Sequence, residues 1–301
     1  MGTQKGVWVQ PELTQPVGWV RWKRRARRRV GQIMVYGLMS ILVAIVLIPV
    51  FWMLSTSLKE RAQIMVWPPQ WIPNPVKWEN FLEVFRVAPF GLFIANSLIL
   101  VVWNMVGSLL SCTLVAYGFA RLRFRGREFL FVVLLATLMI PGQVTMIPTF
   151  ILFNLLGWYN TFLPLVAPAF FGSAFFIFLM RQYMMTIPLD LDDAARMDGC
   201  GHFQVLWRIL APLCKPPLTI IAVFTFTGVW NDLMGPLIYL QDMEKFPVAV
   251  GLAMFQGMFL WQTNWGLLMA ASFMAVLPSL FLYYVAQDHL IGGIASLGLK
   301  G

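Results

Sequence analysis

Charge is what this sequence has least of. Only 12% of its 301 residues are Asp, Glu, Lys or Arg, while 59% are hydrophobic. A soluble domain carries about 25% charged residues, so this composition, with a mean hydropathy of +0.73, excludes a water-exposed globule and points to a polytopic membrane protein. Histidine is nearly absent. His202 and His289 are the two present, and neither sits in a zinc-binding helix motif. Asp288 and His289 adjoin at a membrane edge and read as a solvated interfacial pair rather than a proton relay. Cysteine is sparse and odd in number (Cys112, Cys200, Cys214), which excludes a disulfide framework. There is no Cys-x-x-Cys and no nucleophile elbow. No Lys is followed by Ser or Thr, so a phosphate-binding P-loop is excluded, and with it ATP hydrolysis by that route. A membrane-embedded enzyme would need a constellation of catalytic groups that these counts do not provide.

What is present is a series of long apolar runs separated by charged turns. Residues 31–54, 90–119, 129–155, 162–180, 217–239 and 264–286 each approach the roughly 20 residues that a helical span requires. The expected architecture is an all-α polytopic membrane protein with six transmembrane helices. Residues 246–261 are apolar over too short a run to span and read as an interfacial or re-entrant segment outside. The net charge of +9 suits topology better than nucleic acid, because the basic residues flank the spans. With both termini in the cytoplasm, 17 of the 22 Lys and Arg lie inside and 5 outside, as the positive-inside rule requires. The boundaries follow: a basic cytoplasmic segment 1–30, disordered over its first 20 residues; a first span and outer loop 31–89, read as irregular beyond residue 54; a core 90–287; and a cytoplasmic tail 288–301. The run 21–29 holds Arg and Lys against anionic headgroups.

Four of the thirteen acids crowd into one short stretch, Asp190, Asp192, Asp193 and Asp198. Asp190 is placed to act as N-cap, with Asp193 three residues on. Ala194 and Ala195 favour helix, and Gly199 permits a sharp stop. A second run follows with Phe203, Leu206, Trp207 and Leu210 at helical spacing, closed by Pro212 and by Pro216–Pro217. The expected form is helix, glycine turn, helix, in a loop at 188–212. A second feature is Trp230-Asn231-Asp232 inside the fifth apolar run. An acid at bilayer depth costs roughly 2.5–3.5 kcal/mol on insertion scales and should face protein or water. These three are candidates for a substrate pathway, or for a tie between helices. Prolines at 141, 148, 164, 168, 236 and 278 interrupt the spans, as ordinary kinks or around a transport route.

The stretch Asp193-Ala194-Ala195, three residues, Gly199, nine residues, Ile209, one residue, Ala211-Pro212 resembles the signature loop of ABC importer permeases. There the pattern is Glu-Ala-Ala, three residues, Gly, nine residues, Ile, one residue, Leu-Pro. Asp for Glu and Ala211 for Leu are the departures. Cys200 stands where most sugar permeases have alanine. Ser57-Leu58-Lys59, Asn96-Ser97, Ala116 to Arg121, Phe124 to Arg127, Met139-Ile140-Pro141, Ile147-Pro148, Trp230-Asn231-Asp232 with Pro236, and the Lys-Gly ending also look like the maltose-type carbohydrate permeases. The resemblance covers residues 31–301. It implies a type I ABC importer permease fold in a prokaryotic inner membrane. It implies an ATPase-docking role for Asp193, Ala194, Ala195, Asp198, Gly199 and Pro212. It also implies a second permease subunit, two ATPase subunits that use the ATP and Mg²⁺, and an extracytoplasmic binding protein reached by segment 246–261. The tail 288–301 would lie against the ATPase. The chain itself would bind no cofactor or metal. The competing class is an ion-gradient secondary transporter, which calls for several intramembrane charges and internal repeats; Asp232 is the clear intramembrane acid, and no convincing repeat is visible.

Overall fold

The computed structural model describes residues 18–257 and 263–298, with the side chains of 18–28, 30, 257 and 288–298 left aside. The expectations for residues 1–17, for His289 and for the contacts of the tail lie outside what is described. Two compact units divide the chain, Met1–Trp52 and Met53–Gly301. Helix α1 (Gly18–Ser57) runs through the basic stretch and continues across the apolar residues Gly31–Ser57, and its residues up to Trp52 are the described part of the first unit. None of its apolar window is buried within the chain, as suits a helix wetted by lipid.

The second unit holds the rest. After Ser57 the chain turns through a proline-rich loop that is closed by polar contacts. Asn80 donates its side-chain amide to the carbonyls of Ser57 (2.8 Å) and Lys59 (3.0 Å). Asn80 belongs to α2 (Glu79–Val87), a helix in the outer loop that sequence reading had treated as irregular. Its buried residues are Asn80 and Val84, four apart, and Phe81 meets Phe273 edge-on at 6.3 Å. Charges at Glu79, Glu83 and Arg86 fill the other face and hide the periodicity.

Helix α3 (Phe90–Arg121) is the central span. It packs against α6 (Ala174–Thr186) and α9 (Lys215–Trp230). One stripe of α3 is polar, and its members reach the carbonyls of broken segments. Asn96 donates to Glu244 and Phe246 (2.7 and 3.1 Å), Asn104 to Leu165 (3.0 Å) and Ser111 to Ala169 (2.9 Å). Ser97 Oγ accepts the Val248 N–H at 2.8 Å. Ser97, Asn104 and Ser111 are seven apart, two helical turns, so one face of α3 serves the segments at 165–169 and 244–248. In lipid, freed backbone groups must find protein partners, and this stripe provides them.

The third span is α4 (Arg127–Ala136), a turn at Thr137–Met139, and α5 (Gly142–Leu155), bent by 99° at Pro141. The fourth begins with two short helical pieces, Leu163–Val166 and Ala167–Phe171, before α6. A Cβ at Gly107 of α3 would meet Phe170 at 2.8 Å and the Ala169 backbone at 3.1 Å, so α3 approaches that turn closely because glycine is there. Two short helices, α7 (Asp190–Met197) and α8 (His202–Leu213), precede α9, which meets α8 at an 80° bend. The fifth span breaks at 231–233 and resumes as α10 (Met234–Tyr239). Segment 246–261 contains α11 (Val248–Gly257), far too short to span, with Val248, Val250 and Phe255 buried. Helix α11 packs closely on α3: a Cβ at Gly251 would strike the Phe93 ring. Helix α12 (Trp265–Gly298) contributes the last span, Trp265–Gln287. Four described helices are long and apolar enough to cross a membrane, or six when each bent pair counts as one.

On one side of this unit, Asn160 takes a left-handed conformation (φ 58°), which Asn tolerates better than most residues. Its side chain accepts the N–H of Gln241 and Asp242 and donates to the Asp242 carboxylate, and Lys245 donates to its carbonyl. The loop at 157–161 is thereby tied to the loop at 240–245. Hydrogen bonds from Lys245, then Asn160, hold the Asp242 carboxyl below the usual carboxylate range.

Candidate functional site

The acidic stretch folds as expected in outline. Helix α7 carries Asp190, Asp192 and Asp193 in its first turn, where free N–H groups and the helix dipole favour negative charge. The cap itself differs from expectation. Leu189 occupies the cap position and no side chain caps the helix, so Asp190 is its first residue and not the N-cap. The helix stops at Gly199, whose φ of +83° is left-handed. The Cys200 N–H then closes onto the Ala195 carbonyl at 2.9 Å.

Helix α7 has two faces. Asp192 (2% exposed) and Ala195 (5%) point into the protein. Asp193, Ala194, Met197 and Asp198 point out, with Met197 88% exposed. Of the six docking candidates, Asp193, Ala194, Asp198, Gly199 and Pro212 are exposed, and Ala195 is the inward contact.

Helix α8 departs from the spacing read in the sequence. Leu206 and Leu210 are buried, but Phe203 (70%) and Trp207 (42%) are exposed. Val205–Leu210 is a π-helical stretch. Its wider turn brings residues five apart onto one face, so Val205 and Leu210, and Leu206 and Ala211, form the buried pairs. Burying Leu206 and Leu210 contributes about 1.5–3 kcal/mol each, which anchors the loop. Phe203 and Trp207 are left as apolar groups on the surface of the loop, as is Met197.

Beneath the loop is an arrangement that sequence reading missed. Arg121, the last residue of α3, places its Nε 3.0 Å from Asp192 Oδ2, with both side chains 3% exposed. The pair is held by charge and proximity rather than by an aligned hydrogen bond, since neither Arg121 Nε nor either Asp192 oxygen has a hydrogen-bond partner. The other end of the same guanidinium donates to the Ile187 carbonyl at 2.9 Å. One turn earlier on α3, the Tyr117 hydroxyl sits 3.3 Å from His202 Nδ1. Burial pushes the Asp192 carboxyl above its ordinary range, and Arg121 pulls it back. Removing one partner of a buried pair typically costs about 3–5 kcal/mol, because a charge is left uncompensated. A second buried guanidinium, Arg181 of α6, lies 4.0 Å over the Phe131 ring, donates to the Phe119 carbonyl (3.3 Å) and meets Glu128 at 3.5 Å. The sequence carries no local signal for Asp192, since Leu191, Ala194 and Met197, apolar residues around it, are all exposed. In the sequence Arg121 is a cytoplasmic charge and the end of the permease-like stretch Ala116 to Arg121, with no partner indicated. A cleft of about 740 Å³ between the 121–127 turn and α7 is lined by Arg121, Arg123, Arg127, Asp192, Arg196 and His202.

The pathway candidates diverge at the break in the fifth span. Trp230 is 3% exposed. It stacks on Phe226 (5.4 Å between centroids, 9°) and donates its indole N–H to the Ala275 carbonyl of α12 at 2.9 Å. Asn231 is exposed and donates to the Thr227 carbonyl at 2.8 Å. Asp232 accepts the Gly235 N–H, in the first turn of α10, at 3.1 Å, while Leu233 holds the cap position. The acid at bilayer depth is thus engaged in satisfying a broken helix, in the manner expected of non-helical backbone in a membrane.

Residues 112–295 match the family described as binding-protein-dependent transport system inner membrane component. The probable ABC transporter permease protein YurM of Bacillus subtilis is 30% identical over 287 residues, covering 94% of this chain and 93% of that one. The arabinooligosaccharides transport system permease protein AraQ of the same organism is 31% identical over 85% of this chain and 91% of its own length. Among solved structures, a chain of a bacterial ABC transporter involved in the import of the acidic polysaccharide alginate superposes with a TM-score of 0.76 at 26% identity. That match covers 86% of this chain and 96% of the other.

Proposed function

Because the chain belongs to the inner-membrane components of binding-protein-dependent transport systems, we propose that it is a permease subunit of an ATP-driven importer for a sugar or oligosaccharide. It works with a second permease subunit, two ATPase subunits and an extracytoplasmic binding protein, with both termini in the cytoplasm. ATP and Mg²⁺ belong to the ATPase subunits. The relatives named for arabino-oligosaccharides and alginate support carbohydrate as the substrate class.

The observation that carries this reading is the two-faced docking loop. Its outer face offers Asp193, Met197 and Phe203 to a partner, while its inner face is locked to α3. A helix of eight residues is about 12 Å long, suited to a groove on a soluble subunit. Closure of an ATPase pair around ATP would move this helix, and the spans would rock between inward-open and outward-open arrangements. The breaks at 140–142 and 231–233 give those spans places to flex, and segment 246–261 would face the binding protein.

Uptake into right-side-out membrane vesicles supplied with the cells' extracytoplasmic extract, which contains the binding protein, tests this, with radiolabelled arabino-oligosaccharides and alginate oligomers as probes. Uptake should persist when a protonophore collapses the ion gradient and ATP is held constant inside, and stop when ATP is removed. Uptake that follows the gradient and ignores ATP would make the chain a secondary transporter.

A further inference from the structure

We infer that Arg121 and Tyr117 are positioning residues that clamp the docking loop to α3, so that the loop and the central span move as one body. The inference rests on the proposed docking role and adds how motion at that site reaches the membrane. The geometry is a three-point attachment. Arg121 holds the Ile187 carbonyl before α7 and the Asp192 carboxylate on α7. Tyr117, four residues earlier on the same face of α3, reaches His202 at the start of α8. The chain is gripped just before the docking helix, on it, and just after it.

The inner apolar contacts complete the clamp. Ala195, Val205, Leu206 and Leu210 pack in one cluster with Cys112, Ala116 and Tyr117 of α3 and with Met180 and Met184 of α6. Apolar packing alone permits sliding. A buried ion pair does not, since any shift strands a charge away from water. The clamp leaves the outward face untouched: Asp193, Met197 and Phe203 are not part of it. Docking and transmission are therefore separable by mutation. Arg181, tied to Phe119 and Glu128, fastens α6 to the same end of α3.

Spin labels on Leu191 of α7, which is not among the docking candidates, and on Leu114 of α3 read the clamp directly. Both positions are exposed, and a Cys200→Ala background leaves only the buried Cys112 and Cys214. The assembly is purified with its ATPase, and the distance between labels is compared without nucleotide and with ATP and vanadate. A constant, narrow distance is expected in both states. A change of about 5 Å, one helical step, would overturn the clamp without any further variant. In Arg121→Gln the distance distribution should broaden roughly twofold or more while the ATPase still co-purifies. The exchange R121D/D192R should narrow it again, a rescue that loss of bulk packing would not give. An R121Q distribution as narrow as the parent's would also overturn the inference. If no ATPase accompanies even the unsubstituted chain, it is the proposed function that fails, not the clamp.

Discussion

Replacing Gly199 with valine abolishes transport while the chain still inserts into the membrane. The structure locates the defect in the backbone. Gly199 has open space around it, so no side chain is struck. Its φ of +83° is the obstacle, because a β-branched residue there costs about 1–3 kcal/mol in strain. The chain can relieve that strain by continuing α7 past Asp198. The closing bond from Cys200 to Ala195 is then lost, and α7 and α8 no longer meet at the same angle. The exposed residues of α7, Asp193 and Met197, then change their orientation relative to α8. The spans, which carry their own packing, are unaffected. Membrane-fraction immunoblots and uptake assays on the same cells check this: normal chain levels with uptake lowered by about tenfold or more is the expected pair. Normal uptake in the Gly199→Val chain would refute the role given to the turn.

Replacing Trp230 with alanine unfolds the chain rather than altering what it carries. The indole is buried, stacked on Phe226, and bonded to the Ala275 carbonyl. Truncating a buried Trp costs about 3–5 kcal/mol from the cavity alone, and the orphaned carbonyl adds about 1–3 kcal/mol. α9 and α12 would lose the hydrogen bond that joins them there. Thermal unfolding in detergent should show a large loss of stability, with Trp230→Phe intermediate because it keeps the ring and loses the N–H. Asn231→Ala, at an exposed position, should leave unfolding unchanged. A Trp230→Ala chain that melts normally but transports poorly would place the indole in the pathway instead.

These two residues also show where reading the sequence succeeds and where it stops. Gly199 was legible because glycine after an acidic, alanine-rich helix has few other uses. The six apolar runs were legible because lipid imposes length and composition. The prolines announced the bends, and the 99° break falls at Pro141–Gly142. Helix α2 was not legible, because three charges cover its outer face and it buries only Asn80 and Val84. The π stretch in α8 was not legible, because a five-residue buried spacing arises from packing against α3 and α6 and not from any local preference. The largest gap was Asp192. In sequence it is one of four acids in a run, indistinguishable from Asp193. In the fold the two stand on opposite faces, one buried against Arg121 and the other exposed. That distinction needs the position of α3, 71 residues away, which no local pattern encodes.

The central claim is that the outer face of α7 seats an ATPase subunit. It is tested most directly by purifying the chain from native membranes in mild detergent and identifying what co-elutes by mass spectrometry. The same is done with Asp193 and Gly199 both substituted. The account predicts an ATPase subunit with the unsubstituted chain and its loss with the double variant, although both accumulate equally in the membrane. A chain that elutes alone or as a homo-oligomer at every salt concentration would contradict it.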